Sequence, residues 1–257
     1  MTTIGPRELE FTGEYAVPVV GNEHLIAQGM ARYKFAAQLC KGAVLLDVGC
    51  GEGYGIPDLV RFAHQVIAID RLAHVVQHAA TKYPTNRAQF LAMDAADLGF
   101  RGCSFDSVTS FEVIEHVTDY QRFLQEISRV LRPSGVFIVS TPNNPDGCPL
   151  TNPYHVHEFQ VSELRSVLYR FFTEVQLYGQ NEQRRISPLH DKLRRMDSMN
   201  IRRLLGHPRF RKLRAPLLRL LRSQPFEEVS PDEFLIAEGF LGFAPIIVGV
   251  CRQKRDK

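Results

Sequence analysis

Residues 44–53 read Val-Leu-Leu-Asp-Val-Gly-Cys-Gly-Glu-Gly, and this stretch constrains the chain more than any other. An apolar run ends in Asp47, and Gly49, Gly51 and Gly53 follow at alternate positions. The pattern is that of a buried strand running into a glycine loop. Glycine lets a backbone approach a ligand closely and adopt positive φ. The next acid to close an apolar run is Asp70, after Gln65-Val66-Ile67-Ala68-Ile69. A carboxylate about 20 residues past the glycines, on the neighbouring strand, is placed to accept from ribose hydroxyls. A dinucleotide site spaces its glycines G-x-G-x-x-G, which this loop does not.

Further motifs follow in order. They are Phe90-Leu91-Ala92-Met93-Asp94-Ala95, Ser104-Phe105-Asp106-Ser107-Val108, Phe111-Glu112-Val113-Ile114-Glu115-His116-Val117, and Leu131-Arg132-Pro133-Ser134-Gly135 leading into 136–141. With the alternate glycines after Asp47, this set resembles class I S-adenosylmethionine-dependent methyltransferases. The resemblance implies an α/β fold: a Rossmann-like, seven-stranded, mostly parallel sheet with helices on both faces, an antiparallel final strand and a helical insertion before it. It implies S-adenosyl-L-methionine as cofactor and S-adenosyl-L-homocysteine as product. By resemblance, Asp47, Gly49, Gly51 and Gly53 cradle the methionine part, and Asp70, with Arg71 beside it, takes the ribose. Asp94 and the Ala95 backbone face the adenine amino group. Phe111, Glu112 and His116 lie where cofactor and acceptor meet, and Tyr33 with Arg32 closes over the cofactor. The local alternatives are helix capping for Asp70 and Asp94, helix packing for Tyr33, and a small residue in a tight turn for Cys50.

A chain of 257 residues suits one methyltransferase domain over 1–257, with an N-terminal cap and helix over 1–40. Helices are predicted over 24–40, 54–63, 72–82, 119–131 and 161–171, alternating with strands as in a parallel sheet. A sixth strand is predicted at 174–178 and a seventh at 246–251. Five widely spaced cysteines without a C-x-x-C point to a reducing, cytoplasmic setting and away from a cysteine zinc site. No positively charged start leads into an apolar stretch, so no signal peptide is expected. The longest apolar run near the C-terminus, 243–251, is too short to span a bilayer.

The last two predicted strands are separated far beyond an ordinary connection, which marks 181–240 as a basic helical insertion. Residues 184–222 carry 13 Lys and Arg against 2 acids, while the whole chain is only +3. Leu189, Leu193 and Met196, and Leu213, Leu217 and Leu220, keep helical spacing. Such a segment can be a lid, a dimerisation element, a phosphate-binding surface or a membrane-surface helix. Only Phe210 offers an aromatic for base stacking, which counts against nucleic acid.

Methyl transfer to an alkyl hydroxyl needs a base within reach of the proton. The candidates follow the fifth strand, in Asn152-Pro153-Tyr154-His155-Val156-His157-Glu158-Phe159. His155 is the expected base, Glu158 its orienter, and His157 a third candidate; loop-stabilising hydrogen bonds are the alternative for each. The H-x-H spacing with Glu158 and nearby Asp146 also permits a divalent ion, but it fixes no ligand set. Enzymes that methylate base nitrogens typically carry an Asn/Asp-Pro-Pro-aromatic motif after the fourth strand, where this chain has Phe111-Glu112-Val113-Ile114. The pattern is similar to bacterial small-molecule and glycan O-methyltransferases of polysaccharide biosynthesis. A sugar or oligosaccharide hydroxyl is therefore the expected acceptor, with RNA or a lipid-linked molecule as alternatives.

Overall fold

In a computed structural model, the described residues are 9, 16–18, 22–148, 150, 152–182 and 229–254. They form one eight-stranded sheet in the order β3-β2-β1-β4-β5-β8-β6-β7. The elements in chain order are α1 (Glu23–Leu39), β1 (Val44–Val48), α2 (Ile56–Phe62), β2 (Gln65–Asp70), α3 (Ala73–Lys82), β3 (Ala88–Ala92) and β4 (Phe105–Phe111). A 3-10 turn at Ile114–His116 leads to α4 (Tyr120–Val130), β5 (Leu131–Pro142), α5 (Val161–Leu168), β6 (Phe172–Glu182), β7 (Phe234–Ala237) and β8 (Ile246–Lys254). No described helix is long and apolar enough to cross a membrane.

β1 to β5 are parallel, and β8 runs antiparallel between β5 and β6. Strand residues alternate between two apolar layers because successive side chains point to opposite faces. Leu46, Ile67, Ile69, Phe137 and Val139 pack with Phe123, Ile127 and Leu164 of α4 and α5. Leu45, Val66, Ala68 and Ile138 pack with Tyr33, Ala36, Ile56 and Leu59 of α1 and α2. The strand order reverses between β1 and β4, so the connections after them leave in opposite directions. The crevice at their carboxyl ends is where open α/β sheets bind ligands.

The expected strand count needs one correction: β7 is an eighth strand. It pairs antiparallel with β6, from Gly179↔Ala237 to Glu182↔Phe234. Its four residues are too short an apolar run to stand out from the 181–240 stretch. β6 itself reaches Glu182, beyond the predicted 174–178, and β3 ends at Ala92, leaving Asp94 in the following turn. The basic segment 184–222, with its periodic leucines, lies outside the described residues.

Candidate cofactor and acceptor site

The glycine loop turns sharply after β1. Gly49, Gly51 and Gly53 have φ of 76°, 52° and 93°, the left-handed region that favours glycine. The Gly49 and Cys50 amides both donate to the Ile69 carbonyl, at 2.8 and 2.9 Å. The loop is thereby bonded to the end of β2. Asp70 tightens this junction, with one carboxylate oxygen accepting from the Gly51 amide at 3.0 Å and the other from Leu72 at 3.0 Å.

A cavity of about 770 Å³ opens over this junction. Its wall includes Gly49, Gly51, Asp70, Arg71, Asp94 and Ala95, together with Tyr33, Arg32, Tyr54, Phe111, Glu112, Glu115, His116 and His155. Such a volume is within the roughly 300–1,000 Å³ of small-molecule sites. Asp94 also closes its own turn by accepting from the Ala96 amide at 2.8 Å.

Four expected residues lie off the wall: Asp47, Gly53, His157 and Glu158, the last of which meets it only through His155. Asp47 is fully buried beneath it, accepting from Tyr33 Oη at 3.2 Å and Thr109 Oγ1 at 2.7 Å. Burial raises its pKa from 3.8 to about 7, against the lowering effect of those two donors. Gly53 faces helix α3, where an added Cβ would lie 2.9 Å from Ala79 and 3.0 Å from Tyr83. His157 turns outward, with Nε2 2.8 Å from Glu163 and its ring stacked on Tyr120. Its neighbours are those of a loop-stabilising histidine. Tyr33 combines both of its expected roles: it packs edge-to-face on Phe111 at 5.0 Å and lines the cavity.

The turn after β4 and the segment 152–155 also line this cavity. Glu158 accepts from His155 Nδ1 at 2.6 Å, so the proton is on Nδ1. Nε2 then accepts from Asn152 Nδ2 at 3.0 Å, and Asn152 Oδ1 accepts from the Tyr154 amide at 3.0 Å. His116 Nδ1 donates to the Tyr154 carbonyl at 2.9 Å. The two imidazoles meet edge-to-face at 4.8 Å.

Sequence reasoning did not single out Glu115, Asn152 or Tyr54. Glu115 is fully buried in the 3-10 turn, where its main-chain carbonyl accepts from the Val156 and His157 amides and fastens the two loops together. Burial first, then the charge of Glu112, holds its carboxyl well above the usual range. Oε2 accepts from Thr141 at 3.1 Å, whereas Oε1 has no partner among the described residues. Glu112 has φ 55°, rare for a residue with a side chain, and accepts from Ser140 at 2.7 Å. A buried acid in a polar-looking helical turn gives no periodic signal, which is why Glu115 escaped notice.

The close-approach glycines, a carboxylate at the end of β2 and the wall after β3 suit an adenosine-containing cofactor with an amino-acid tail. This is the class I methyltransferase arrangement. Residues 46–139 match the Methyltransferase domain family and form a methyltransferase domain of the class I superfamily, whose cofactor is S-adenosylmethionine. A Mycobacterium tuberculosis protein named as an S-adenosylmethionine-dependent methyltransferase is 37% identical over 172 residues, covering 65% of this chain and 62% of that protein. The chain thus spans about three fifths of this relative's length. A ubiquinone biosynthesis O-methyltransferase from Sinorhizobium medicae is 32% identical over 46% of this chain and 48% of its own. The fold is shared with a Haloferax volcanii methyltransferase solved in complex with the activator Trm112, with TM-score 0.60, 16% identity, and coverage of 91% and 93%.

Proposed function

We propose that this protein is an S-adenosylmethionine-dependent O-methyltransferase acting on a hydroxyl of a sugar, oligosaccharide or related small molecule. The observation that carries the reading is the Glu158–His155 pair, which puts an imidazole on the wall of the cofactor cavity with Nε2 as its proton-accepting atom. The likeness to ubiquinone biosynthesis O-methyltransferases supports oxygen as the acceptor atom and says nothing of sugar. When bound, S-adenosylmethionine supplies an electrophilic methyl group on a sulfonium.

The chain's own residues do the rest. The Gly49–Gly51 backbone and Asp70 hold the cofactor, while Phe111 and Tyr33 shield it from water. Nε2 of His155 takes the hydroxyl proton, and the Glu158 carboxylate stabilises the imidazolium that forms. Asn152 must release Nε2 for the acceptor, a movement of its amide that also gives up the bond from the Tyr154 N–H to Oδ1. Alignment of acceptor and donor supplies most of the remaining rate.

The test is label transfer: methyl-labelled S-adenosylmethionine, the full chain and a fractionated cell extract. Label in hydroxylated small molecules or carbohydrate supports the reading. Label in RNA alone overturns it.

Two further outcomes are expected. Asp70→Ala should weaken S-adenosylmethionine binding by about 1–3 kcal/mol, through lost ribose contacts and a loosened Gly51 amide. Unchanged calorimetric affinity would remove Asp70 from the site. Asp47 gives a pH dependence. Its carboxyl is raised in the fold from 3.8 to about 7, so the native state holds a proton that the unfolded chain releases. Its contribution to stability is present below about pH 4 and is lost as pH rises through about 7. A cofactor ammonium near Asp47 favours the carboxylate, so binding should release a proton below about pH 7 and tighten as pH rises towards it. Calorimetry in buffers of different ionisation enthalpy reads this release, and Asp47→Asn should abolish it.

A further inference from the structure

Glu52 stands between Gly51 and Gly53 in the glycine loop, and its side chain is fully buried. It is not among the residues that line the cavity; its carboxylate faces the end of α3 instead. Oε2 accepts from Tyr83 Oη at 3.0 Å, and Oε1 accepts from Lys82 Nζ and lies 3.3 Å from Nε2 of His78. Burial first, then the charge of Glu52, raises the Tyr83 hydroxyl well above its usual pKa, so it keeps its proton and donates. A carboxylate taken wholly out of water is costly, and it persists where charged and hydrogen-bonding partners offset the loss. His78 and Lys82 belong to α3, and Tyr83 follows it directly. All three partners therefore come from one helix end.

The same helix end meets Gly53, where the missing Cβ leaves room for Ala79 and Tyr83. On its other side the loop is bonded to β2, through the Ile69 carbonyl and the Asp70 carboxylate. A loop with three left-handed glycines loses much backbone freedom when it is fixed, since glycine has more conformations to lose than any other residue. That cost falls on cofactor binding unless the loop is held beforehand. We propose that Glu52 is a positioning residue for S-adenosylmethionine: its buried carboxylate clamps the glycine loop to α3 and presets the Gly49 and Gly51 backbone that holds the cofactor. It acts through the loop, since its side chain is shut off from the cavity. This role depends on the S-adenosylmethionine site and is independent of the acceptor. Lys82 is 40% exposed, so it turns to water when the carboxylate is removed, and the loss falls on the loop rather than on a stranded charge.

The test is calorimetry of the full chain with S-adenosylmethionine, with thermal melting and hydrogen exchange of the segment 49–54, in wild type, Glu52→Gln, Tyr83→Phe and Asp106→Asn. Glu52→Gln should weaken binding by about 10- to 100-fold, the range for losing hydrogen bonds to a charged group. Its 49–54 amides should exchange faster than those of the wild type in the free protein, with protection restored at saturating cofactor. Tyr83→Phe keeps the ring beside Gly53 and removes one donor, so it should weaken binding by about 3- to 10-fold. Asp106→Asn is the control for stability alone. Its carboxylate ties the Val44 amide and Arg132 at the opposite ends of β1 and β4, so the variant should melt earlier and keep wild-type affinity. Wild-type affinity in Glu52→Gln overturns the role, and so does weakening that tracks melting temperature equally in Asp106→Asn. If Glu52→Gln does not fold, Tyr83→Phe decides, and unchanged affinity and exchange there overturn the role. A wild type that binds no S-adenosylmethionine overturns the cofactor site and this role with it.

Discussion

His155→Ala is expected to lower turnover by roughly 100- to 10,000-fold while leaving S-adenosylmethionine affinity unchanged, the range typical of a lost general base. The side chain is largely enclosed, with 10% of its surface exposed, and its partner Glu158 is 16% exposed. The pair is thus shielded enough for their hydrogen bond to set the tautomer. The competing view is that Asn152, His155 and Glu158 only tie the loop together. Two measurements separate these. If the histidine accepts the proton, Asn152→Ala should retain most of the rate that His155→Ala loses. If the triplet is a loop clamp, both variants should fall together and show altered acceptor KM. A fully active His155→Ala would remove it from the chemistry.

The second large effect is at the cradle. Gly49→Ala is expected to cost roughly 2–6 kcal/mol, combining left-handed strain of about 1–3 kcal/mol with overpacking of about 1–3 kcal/mol. An added Cβ would lie 2.3 Å from Cγ2 of Val113, in the turn after β4. Two loops that close the same cavity are therefore in direct contact at this point. The variant should melt earlier and bind S-adenosylmethionine weakly. Val113→Ala in the same chain removes the Cγ2 contact and leaves Cβ at 3.4 Å, so it should recover the steric part but not the φ part. If the double variant recovers nothing, the cost is all backbone strain. A stable Gly49→Ala with wild-type affinity would refute the account.

Much of this was legible in the sequence. Alternating apolar runs with terminal acids marked β1 and β2, because both strands are buried on both faces and read as continuous apolar segments. Helix α4 was marked by Phe123, Leu124, Ile127 and Val130 and stops where Leu131 enters β5. Most of the expected cofactor residues line one cavity, because strand ends and the turns after them share one edge of the sheet. What was not legible depends on three-dimensional neighbours. Gly53 looks like its two companions in sequence, yet its partners are in α3. His157 and His155 differ by two positions, and the chain between them turns one ring out to Tyr120 and the other inward. Glu115 needed the fold to show that Oε1 of its buried carboxyl has no hydrogen-bond partner among the described residues.

The place of β8 between β5 and β6 has a consequence for how the chain assembles. β1 to β5 can pair as they emerge from the ribosome, since each of β2 to β5 finds a neighbour earlier in the chain. β6 cannot: its bridge to the sheet is made of residues 246–254. Until these are synthesised, β6 and its partner β7 have no sheet to join, and the exposed edge of β5 stays open. Closing it joins segments more than a hundred residues apart, from Val136↔Arg252 to Pro142↔Ile246. Long-range closure of this kind is slow and leaves an unpaired edge exposed to association in the meantime.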